Sequence, residues 1–193
     1  RTLATITATA QPKYQQGFAP LPAGFKYAPF NDFDALKSAI TDKTAAIMFE
    51  LIQGEGGINV ASKDYVLRVR QLCDEKCILM IFDEVQTGMG RTGTMFVFKQ
   101  YGVVPDVMTL AKSLGGGMPI GAMVAEKKYA DVLQPGTHAS TFGGSPIVCV
   151  AALAVFEAIK KERLLQNTRK MGDYLRGLLL SKTRQKPMPD LRS

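Results

Sequence analysis

Three charged side chains stand at or next to the ends of short apolar runs, at Glu50, Asp83 and Lys112. Each run is too short for a helix and lacks polar alternation, which is typical of a strand covered on both faces. In an open parallel sheet the carboxyl ends of the strands border the ligand crevice, so these side chains would face one site. Any one of them alone could be merely the first solvent-exposed position after a strand. Two acids and a lysine together favour a functional site.

The pair Lys112 and Asp83 fits one kind of chemistry. A lysine enclosed in a cleft is easily deprotonated, and its free lone pair can attack a carbonyl to form a Schiff base. If that carbonyl belongs to pyridoxal phosphate, an acid on the neighbouring strand also has a task, because it keeps the ring nitrogen protonated. The residues therefore predict a Schiff-base lysine with an acidic partner.

The strands that would position these side chains follow from the apolar pattern. Runs at 45–49, 78–82 and 107–111 predict three buried strands. The segments between them are long enough for crossovers, which indicates a parallel sheet. Residues 121–125 predict a further strand as an antiparallel return. The first thirty residues, broken by four prolines, predict a connecting segment with short extended pieces.

Three helices are predicted around the strands. Asn31 is expected to cap a helix that ends near residue 41, and a second helix is expected over 64–76 with its apolar residues inward. A long helix is expected over 146–160, where Pro146 suits the first position because its missing N–H costs nothing there.

The composition is that of an ordinary globular domain. The chain has 193 residues, of which 46% are apolar and 21% charged, and a formal net charge of +7. Its longest apolar stretch, residues 146–156, is far shorter than the roughly 20 residues that a membrane-spanning helix needs. Apolar residues recur in regular blocks, which argues against disorder. The composition therefore predicts no membrane span within this chain and an ordered domain.

The basic excess is confined to the C-terminal part. Ten of the 24 Lys and Arg residues, but only three of the 17 Asp and Glu residues, lie from Lys160 onward. The body of the chain is neutral, so we interpret this part as an amphipathic helix with a solvated basic face rather than a nucleic-acid-binding surface. Its apolar stripe recurs at helical spacing, at Leu165, Thr168, Gly172, Leu175 and Leu179.

Two other motifs fail in context. Residues 88–93 match the G-x-G-x-x-G dinucleotide fingerprint, but five residues separate them from the preceding strand, and Asp106 precedes a strand instead of ending one. Cys73 and Cys77 lie one helical turn apart, yet His138 is the only histidine and no second cysteine pair follows. No metal site is therefore predicted, and a hydrolase triad has little support.

The start of the chain and its cysteines bear on the compartment. The sequence begins with Arg1, and residues 1–10 lack the basic and apolar segments of a secretory signal peptide. Three cysteines are too few for a disulfide framework, which favours a reducing compartment. We therefore expect a cytoplasmic protein, or one of an organellar matrix, and interpret the chain as a piece of a longer polypeptide.

Four sequence blocks carry a family resemblance. They are residues 49–57 (FELIQGEGG), 82–93 (FDEVQTGMGRTG), 111–117 (AKSLGGG) and 140–144 (STFGG). In this order and spacing they resemble the signature blocks of the class III pyridoxal-phosphate aminotransferases over nearly the whole chain. The resemblance implies part of the large domain of a fold type I transferase, an α/β fold with a mostly parallel sheet and helices on both faces.

The resemblance implies roles for five residues at the cofactor. Lys112 would form the Schiff base with pyridoxal phosphate and then move a proton. Asp83 would pair with the ring nitrogen, Gln86 would hydrogen-bond the ring hydroxyl, and Val85 would pack on the ring face. Thr141 would bind the phosphate of the cofactor in the neighbouring subunit, which implies a homodimer with the site at the subunit interface.

Four further residues match substrate-side positions of the family. Arg1 matches the arginine that grips the substrate carboxylate, a task suited to a bidentate guanidinium. Ser140 would lie close by, at the substrate end. Glu50 and Glu55 match the two acids of the first block, of which the second tunes access to an arginine that selects between amino donors and 2-oxoglutarate.

The chain also departs from the family pattern. Leu51 stands where the family usually has proline, and Ala139 where it commonly has glycine. The sequence lacks the Ser-Gly-Thr loop that cradles the phosphate, the aromatic residue before Arg1 and the C-terminal small domain. We expect residues 1–160 to be the central part of the cofactor-binding large domain and residues 161–193 a helix that leads toward the small domain.

The resemblance also implies an activity. Within the family the chain is most similar to the branch that moves the amino group of N-acetylornithine to 2-oxoglutarate in arginine biosynthesis. Another ω-aminotransferase, acting on ornithine, succinyl-diaminopimelate or 4-aminobutyrate, is the nearest alternative. The missing phosphate loop suggests an alternative of a different class, a non-catalytic remnant that only associates with other chains. A nucleic-acid binder, suggested by the basic tail, is a third.

Overall fold

The computed structural model describes residues 2–183 in two compact units. The first unit ends at Thr44 and the second begins at Ala45. Arg1 and residues 184–193 lie outside the described residues. The expected division at residue 160 stays a prediction.

The first unit opens with two short helices, α1 (Leu3–Ala8) and α2 (Pro12–Gln15). Residues 3–8 and 12–15 are therefore helical, where the sequence predicted only short extended pieces. Thr2 and Thr5 each accept a hydrogen bond from the backbone N–H of the other, which caps the start of α1. Pro12 occupies the first turn of α2, so this proline begins a helix instead of preventing one.

A third helix, α3 (Phe33–Ala39), begins one position later than expected. Asp32 is its N-terminal cap, and the Asp32 carboxylate accepts a hydrogen bond of 2.9 Å from the Ala35 N–H. The prediction of Asn31 as the cap is wrong. Asn31 instead adopts a left-handed backbone with φ of 63°, which asparagine tolerates better than most residues, and this turn brings Asp32 to the capping position.

The described part of the second unit, residues 45–183, contains two sheets and four α-helices. Its elements are β1 (Ala46–Phe49), β2 (Ile52–Gln53), β3 (Asn59–Val60), α4 (Lys63–Lys76), β4 (Leu79–Asp83), α5 (Phe98–Tyr101), β5 (Val107–Leu110), β6 (Ala122–Ala125), α6 (Pro146–Lys161) and α7 (Leu164–Thr183). Two short 3-10 helices cover Lys112–Gly115 and Lys127–Val132. Within residues 2–183, no helix is long and apolar enough to cross a membrane.

The main sheet has the strand order β1-β4-β5-β6. The first three strands are parallel, and β6 pairs antiparallel with β5. The predicted α/β class, the parallel strands and the antiparallel return are confirmed. The edge strands are less covered than expected, because Met48 of β1 and Met123 of β6 are about half exposed. A small hairpin of β2 and β3, which the pattern did not predict, follows β1.

Helix α4 packs its apolar face on the sheet as predicted. Four residues of this face are almost completely buried, namely Val66, Val69, Leu72 and Cys73. The Ser62 hydroxyl caps the helix by accepting a hydrogen bond from the Tyr65 N–H. The residues buried on α4 are therefore the ones that the helical spacing of the sequence predicted.

A second apolar cluster supports the carboxyl end of β5. Met108 and Leu110 of this strand pack with Ala152 and Ile159 of α6, and Leu114 of the following 3-10 helix belongs to the same cluster. This packing holds in place the point at which the chain leaves the sheet.

The basic C-terminal segment forms the predicted helix, α7. Its first turn packs on the second cluster through Leu164 and Leu165, whereas Leu175 further along is 56% exposed. The Arg169 guanidinium donates a hydrogen bond of 2.6 Å to the Gly93 carbonyl. The start of α7 thus contacts the segment that matched the dinucleotide fingerprint.

The buried carboxylate of Asp106 joins β4 to the start of β5. It accepts hydrogen bonds from the Met80 N–H and from Arg70, both at 2.8 Å, and from the Tyr129 hydroxyl at 3.2 Å. Burial acts to raise the pKa of Asp106, but these donors outweigh burial and hold the pKa below its ordinary value of 3.8. Asp106 therefore has a structural role, at the end of β5 opposite Lys112.

We expect Asp106→Asn to lower the free energy of unfolding by about 1.5–3 kcal/mol at pH 7, because hydrogen bonds to a buried charged group are lost. A lowered pKa in the folded state gives stability that is present above the unfolded pKa and is lost as the pH falls through the folded one. Wild type and variant should therefore converge in acid. Urea unfolding of the complete protein that the gene encodes, between about pH 7 and 3, measures this.

The matched control is Asp64→Asn, since Asp64 is an exposed acid on α4. It should change the free energy of unfolding by less than about 0.5 kcal/mol at any of these pH values. An Asp106→Asn variant as stable as the wild type at pH 7 would contradict the structural role.

Candidate active site

The carboxyl ends of three parallel strands bring together Glu50, Asp83 and Lys112. Glu50 follows β1, Asp83 ends β4, and Lys112 comes two residues after β5. Their charges act on one another: burial chiefly raises the pKa of Glu50, the Asp83 carboxylate raises it further, and Lys112 acts to lower it. The predicted convergence of these side chains is therefore found.

Lys112 stands where the chain turns out of the sheet. Its backbone is left-handed, with φ of 48°, and it begins a 3-10 helix. Such a conformation is uncommon for a residue other than glycine, and such residues cluster at functional sites. Lys112 is exposed, so the described residues do not provide the enclosure that the chemical argument expected. The reason is that the chain carries this residue beyond the covered end of β5.

A cavity of about 370 Å³ lies beside Lys112. Three of the predicted site residues, Lys112, Val85 and Gln86, line it. The other lining residues are Ile52, Gly54, Ile58, Thr87, Arg91, Thr92 and Ser113. Volumes of this order are typical of small-molecule sites.

The Asp83 carboxylate is oriented by two donors. Its Oδ1 atom accepts hydrogen bonds from the Val85 N–H at 2.9 Å and from the Thr109 hydroxyl at 3.1 Å. Within residues 2–183 no donor reaches the other oxygen, Oδ2. Asp83 therefore presents a fixed acceptor at the end of β4.

The β2–β3 hairpin approaches the same cavity. A Cβ atom on Gly54 would lie 2.7 Å from the Gln86 Oε1 atom, so glycine is needed there for Gln86 to keep its place. Ile58 at the other side of the hairpin lines the cavity with a left-handed backbone, at φ of 57°. A β-branched residue in this conformation is a genuine outlier and marks the hairpin as a constrained wall.

Asp83 and Glu50, at the strand ends, are not among the residues that line the cavity. Several other predicted residues are not shown in the cavity wall either. Ser140 and Thr141 lie in an exposed segment, and neither lines the cavity. Glu55 is exposed in the hairpin, close enough to raise the pKa of Glu50 slightly further. Arg1 lies outside the described residues. The roles expected for these four residues stay predictions.

Sequence reasoning missed two residues behind the cavity wall. Thr109 orients Asp83, and it is the residue that pairs with Asp83 in the register of β4 and β5. Glu84 is 1% exposed and continues the buried alternation of Met80 and Phe82. The sequence offered one signal for Glu84: it falls on the face of the strand pattern that is otherwise apolar and buried. Seven of the wall residues, Ile52, Gly54, Ile58, Thr87, Arg91, Thr92 and Ser113, were also missed, although all but Ile58 fall within the quoted blocks.

The described residues contain no metal centre. No group of three or more His, Cys, Asp or Glu side chains in this part of the chain is placed to hold a metal ion. Burial raises the pKa of the Cys73 thiol to about 12, so this cysteine is an inert core residue. Cys77 is a free, exposed residue that ends α4.

The arrangement supports chemistry at a primary amine. Within residues 2–183 no acidic side chain lies within ion-pair distance of the Lys112 Nζ atom, so its amine is available to a ligand. The oriented Asp83 carboxylate can hold a protonated nitrogen, and Val85 and Gln86 provide an apolar wall and a polar side chain. These are the parts that a planar nitrogen heterocycle with a reactive carbonyl requires.

Comparisons with known sequences match the whole chain. The family model for aminotransferase class-III covers residues 1–193. Acetylornithine aminotransferase of Methanocaldococcus jannaschii is 65% identical over 161 residues, which are 83% of this chain and 40% of that protein. Acetylornithine aminotransferase of Caldanaerobacter subterraneus is 53% identical over 193 residues, or 100% of this chain and 49% of that protein. The chain thus spans less than half the length of these relatives.

A solved structure matches the fold. Ornithine aminotransferase of Toxoplasma gondii is similar with a TM-score of 0.93 and 36% identity, covering 100% of this chain and 46% of that chain. That structure contains pyridoxal phosphate at partial occupancy in its active site. The fold of this chain is therefore that of part of a pyridoxal-phosphate-dependent aminotransferase.

We expect Glu50→Gln to stabilise the protein at pH 7, measured without added ligand. The pKa of Glu50 is raised in the folded state, so its charge opposes folding once the pH exceeds the unfolded value of about 4.3. The amide removes that charge. The variant should have the higher urea midpoint at pH 7, and the difference should vanish below about pH 4, where the carboxyl is neutral in both states. A variant less stable than wild type at pH 7 would contradict this reading of the site.

Proposed function

The chain belongs to the class III aminotransferase family, and we propose that the protein carrying it transfers the amino group of N-acetylornithine to 2-oxoglutarate. The observation that carries the chemistry is the placement of Lys112 in the wall of a cavity, with an oriented Asp83 at the end of the neighbouring strand. The 65% and 53% identity to acetylornithine aminotransferases supports the choice of amino donor. Other members of the family bind the same cofactor, so the cofactor alone does not identify the amino donor.

The residues present fit pyridoxal phosphate. Lys112 would bind it covalently through Nζ, and Asp83 would hold the proton at the ring nitrogen. Val85 would pack on the ring and Gln86 would hydrogen-bond the ring hydroxyl, since both line the cavity with Lys112. When bound, the cofactor supplies a ring that withdraws electrons from the carbon atom that bears the amino group to be transferred.

The chain's own residues would then move protons and hold the reacting groups in position. The Lys112 amine would take a proton from the carbon that bears the transferred amino group and return it, which suits a group on a fixed turn beside the cavity. The Thr109 hydroxyl and the Val85 N–H would keep the Asp83 carboxylate in the orientation that the ring nitrogen needs. Precise placement of such groups provides a large part of the rate.

A homodimer is part of the proposal. Ser140 and Thr141 are exposed in the segment 131–144. This exposure supports the family-based expectation that Thr141 binds the phosphate at the neighbouring subunit's site, with Ser140 at the substrate end. Arg1 would grip the substrate carboxylate, and Glu55 would control access for 2-oxoglutarate.

Ornithine is the second candidate donor. The observation in its favour is the similarity to ornithine aminotransferase at a TM-score of 0.93. The lower identity, 36% against 65% and 53%, places this candidate second.

We expect borohydride reduction in the presence of pyridoxal phosphate to label Lys112. Reduction makes the bond between the lysine and the cofactor permanent, and peptide mass mapping of the complete protein then locates it. Lys112→Ala should abolish this label and lower turnover by at least about 10²–10⁴-fold, because the base is lost with it. Lys99→Ala, which removes an exposed lysine of α5, should keep both label and turnover. A wild-type protein labelled elsewhere, or not at all, would end the proposal.

We expect kcat/KM to be at least about tenfold higher for N-acetylornithine than for ornithine, with 2-oxoglutarate as acceptor. The acetyl group removes a charge, and a site adapted to the neutral group would leave the free amine of ornithine poorly solvated. Steady-state rates of the complete protein with both donors decide this. Equal values, or a preference for ornithine, would favour the second candidate.

A further inference from the structure

The buried glutamate Glu84 lies directly after Asp83, and all its partners are hydrogen-bond donors. Its Oε2 atom accepts from the Thr87 hydroxyl at 2.6 Å and from the Val97 N–H at 3.0 Å. Its Oε1 atom accepts from the Phe98 N–H at 2.9 Å. Within residues 2–183 no lysine or arginine forms an ion pair with it. A carboxylate, which only accepts, matches this set of donors.

These bonds close a loop. Glu84 stands at the start of the segment 85–97, and Val97 and Phe98 stand at its end, where α5 begins. This segment, the 85–97 loop, supplies half of the cavity wall through Val85, Gln86, Thr87, Arg91 and Thr92. The position of the wall therefore depends on one buried side chain.

The backbone of Glu84 is fixed as well. Its N–H donates to the Thr109 carbonyl at 3.0 Å, and its own carbonyl accepts from the Gly88 N–H at 2.8 Å. A Cβ atom on Gly88 would lie 2.7 Å from that carbonyl oxygen, so only glycine allows so tight a turn. Glu84 cannot move without moving its neighbours in this turn.

Those neighbours are the residues that would face the cofactor. The Val85 N–H, in the peptide after Glu84, donates to the Asp83 carboxylate. Gln86 lies between Val85 and Thr87, and Thr87 is bonded to the Glu84 side chain. A change in the Glu84 carboxylate would therefore reach both Asp83 and Gln86.

We propose that Glu84 is a positioning residue of the active site: its carboxylate holds the 85–97 loop against the end of β4 and thereby fixes Asp83 and Gln86. Glu84 is buried and does not line the cavity. Its effect on catalysis rests on the proposed function, whereas its hold on the loop can be measured without any cofactor.

The test compares Glu84→Gln with Asp106→Asn in the complete protein. Both remove the charge of a buried carboxylate that binds backbone N–H groups, but Asp106 lies at the opposite end of β5. In Glu84→Gln the new NH₂ group must face at least one of the donors, so at least one of the amides of Val97 and Phe98 loses its acceptor. We expect Glu84→Gln to make hydrogen exchange in cofactor-free protein about tenfold faster in peptides covering residues 85–98, beyond any change in the other core peptides. Asp106→Asn, which lowers global stability, should produce no such local excess in these peptides.

The second readout is the bound cofactor. With pyridoxal phosphate, Glu84→Gln should shift the pH midpoint of the visible absorbance and lower kcat about tenfold with little change in KM. Asp106→Asn should lower thermal stability but leave the midpoint and kcat unchanged. Unchanged exchange in Glu84→Gln, or equal shifts in both variants, would overturn the proposal. A wild type without cofactor absorbance would end the proposed function only, since the exchange result still decides whether Glu84 holds the loop.

A milder pair of variants serves if Glu84→Gln does not fold. Thr87→Val removes one donor to the Glu84 carboxylate and leaves the charge, whereas Thr87→Ser keeps the hydroxyl. Because Thr87 also lines the cavity, the readout is hydrogen exchange in cofactor-free protein. We expect faster exchange in the 85–97 loop for Thr87→Val and wild-type exchange there for Thr87→Ser. Identical results for the two variants would show that the hydroxyl contact does not hold the loop, against the proposal.

Discussion

The register between β4 and β5 is the constraint on which the active site depends. It sets Asp83 opposite Thr109, so the hydroxyl of one strand reaches the carboxylate of the next. The side-chain period of a strand is two, so a slip of one residue would turn Thr109 to the other face and leave Asp83 without this donor. The apolar packing of Met108 and Leu110 on α6 prevents such a slip, because it fixes which face of β5 is buried.

Two buried carboxylates hold the two ends of this strand pair. Asp106 joins the start of β5 to Met80 of β4, and Glu84 joins the end of β4 to the loop that returns to α5. A buried acid is costly unless its oxygens are bonded. Glu84 meets that condition with the N–H groups of Val97 and Phe98, and Asp106 meets it with the Met80 N–H and the Arg70 guanidinium. Apolar residues could fill the same space, but they could not select one backbone position. The sheet is thus held by packing at its centre and by directional bonds at its ends.

The sequence predicted the features that follow from the spacing of apolar residues alone. The strands, the buried face of α4 and the convergence of Glu50, Asp83 and Lys112 are of this kind, because a buried strand tolerates charge only at its ends. The sequence did not predict the features that depend on hydrogen bonds between elements. Asp32 caps α3 in place of Asn31, because the backbone turns at Asn31, one residue before the cap. Thr109 is recognised as a site residue only from the register of β4 and β5. The local sequence pattern determines the helices and strands. The hydrogen bonds between these elements can be identified only in the folded chain.

The left-handed backbone of Lys112 has a geometric reason. Thr109 pairs with Asp83, so in a continued strand residue 111 would point to their face and residue 112 to the opposite face, where Leu110 packs with α6. A lysine there would enter the apolar cluster. The turn at φ of 48° ends the strand and directs the side chain to the cavity that Val85 and Gln86 line. The conformational cost, of the order of 1 kcal/mol, is thus what brings an amine to the side of the sheet where the oriented acid stands.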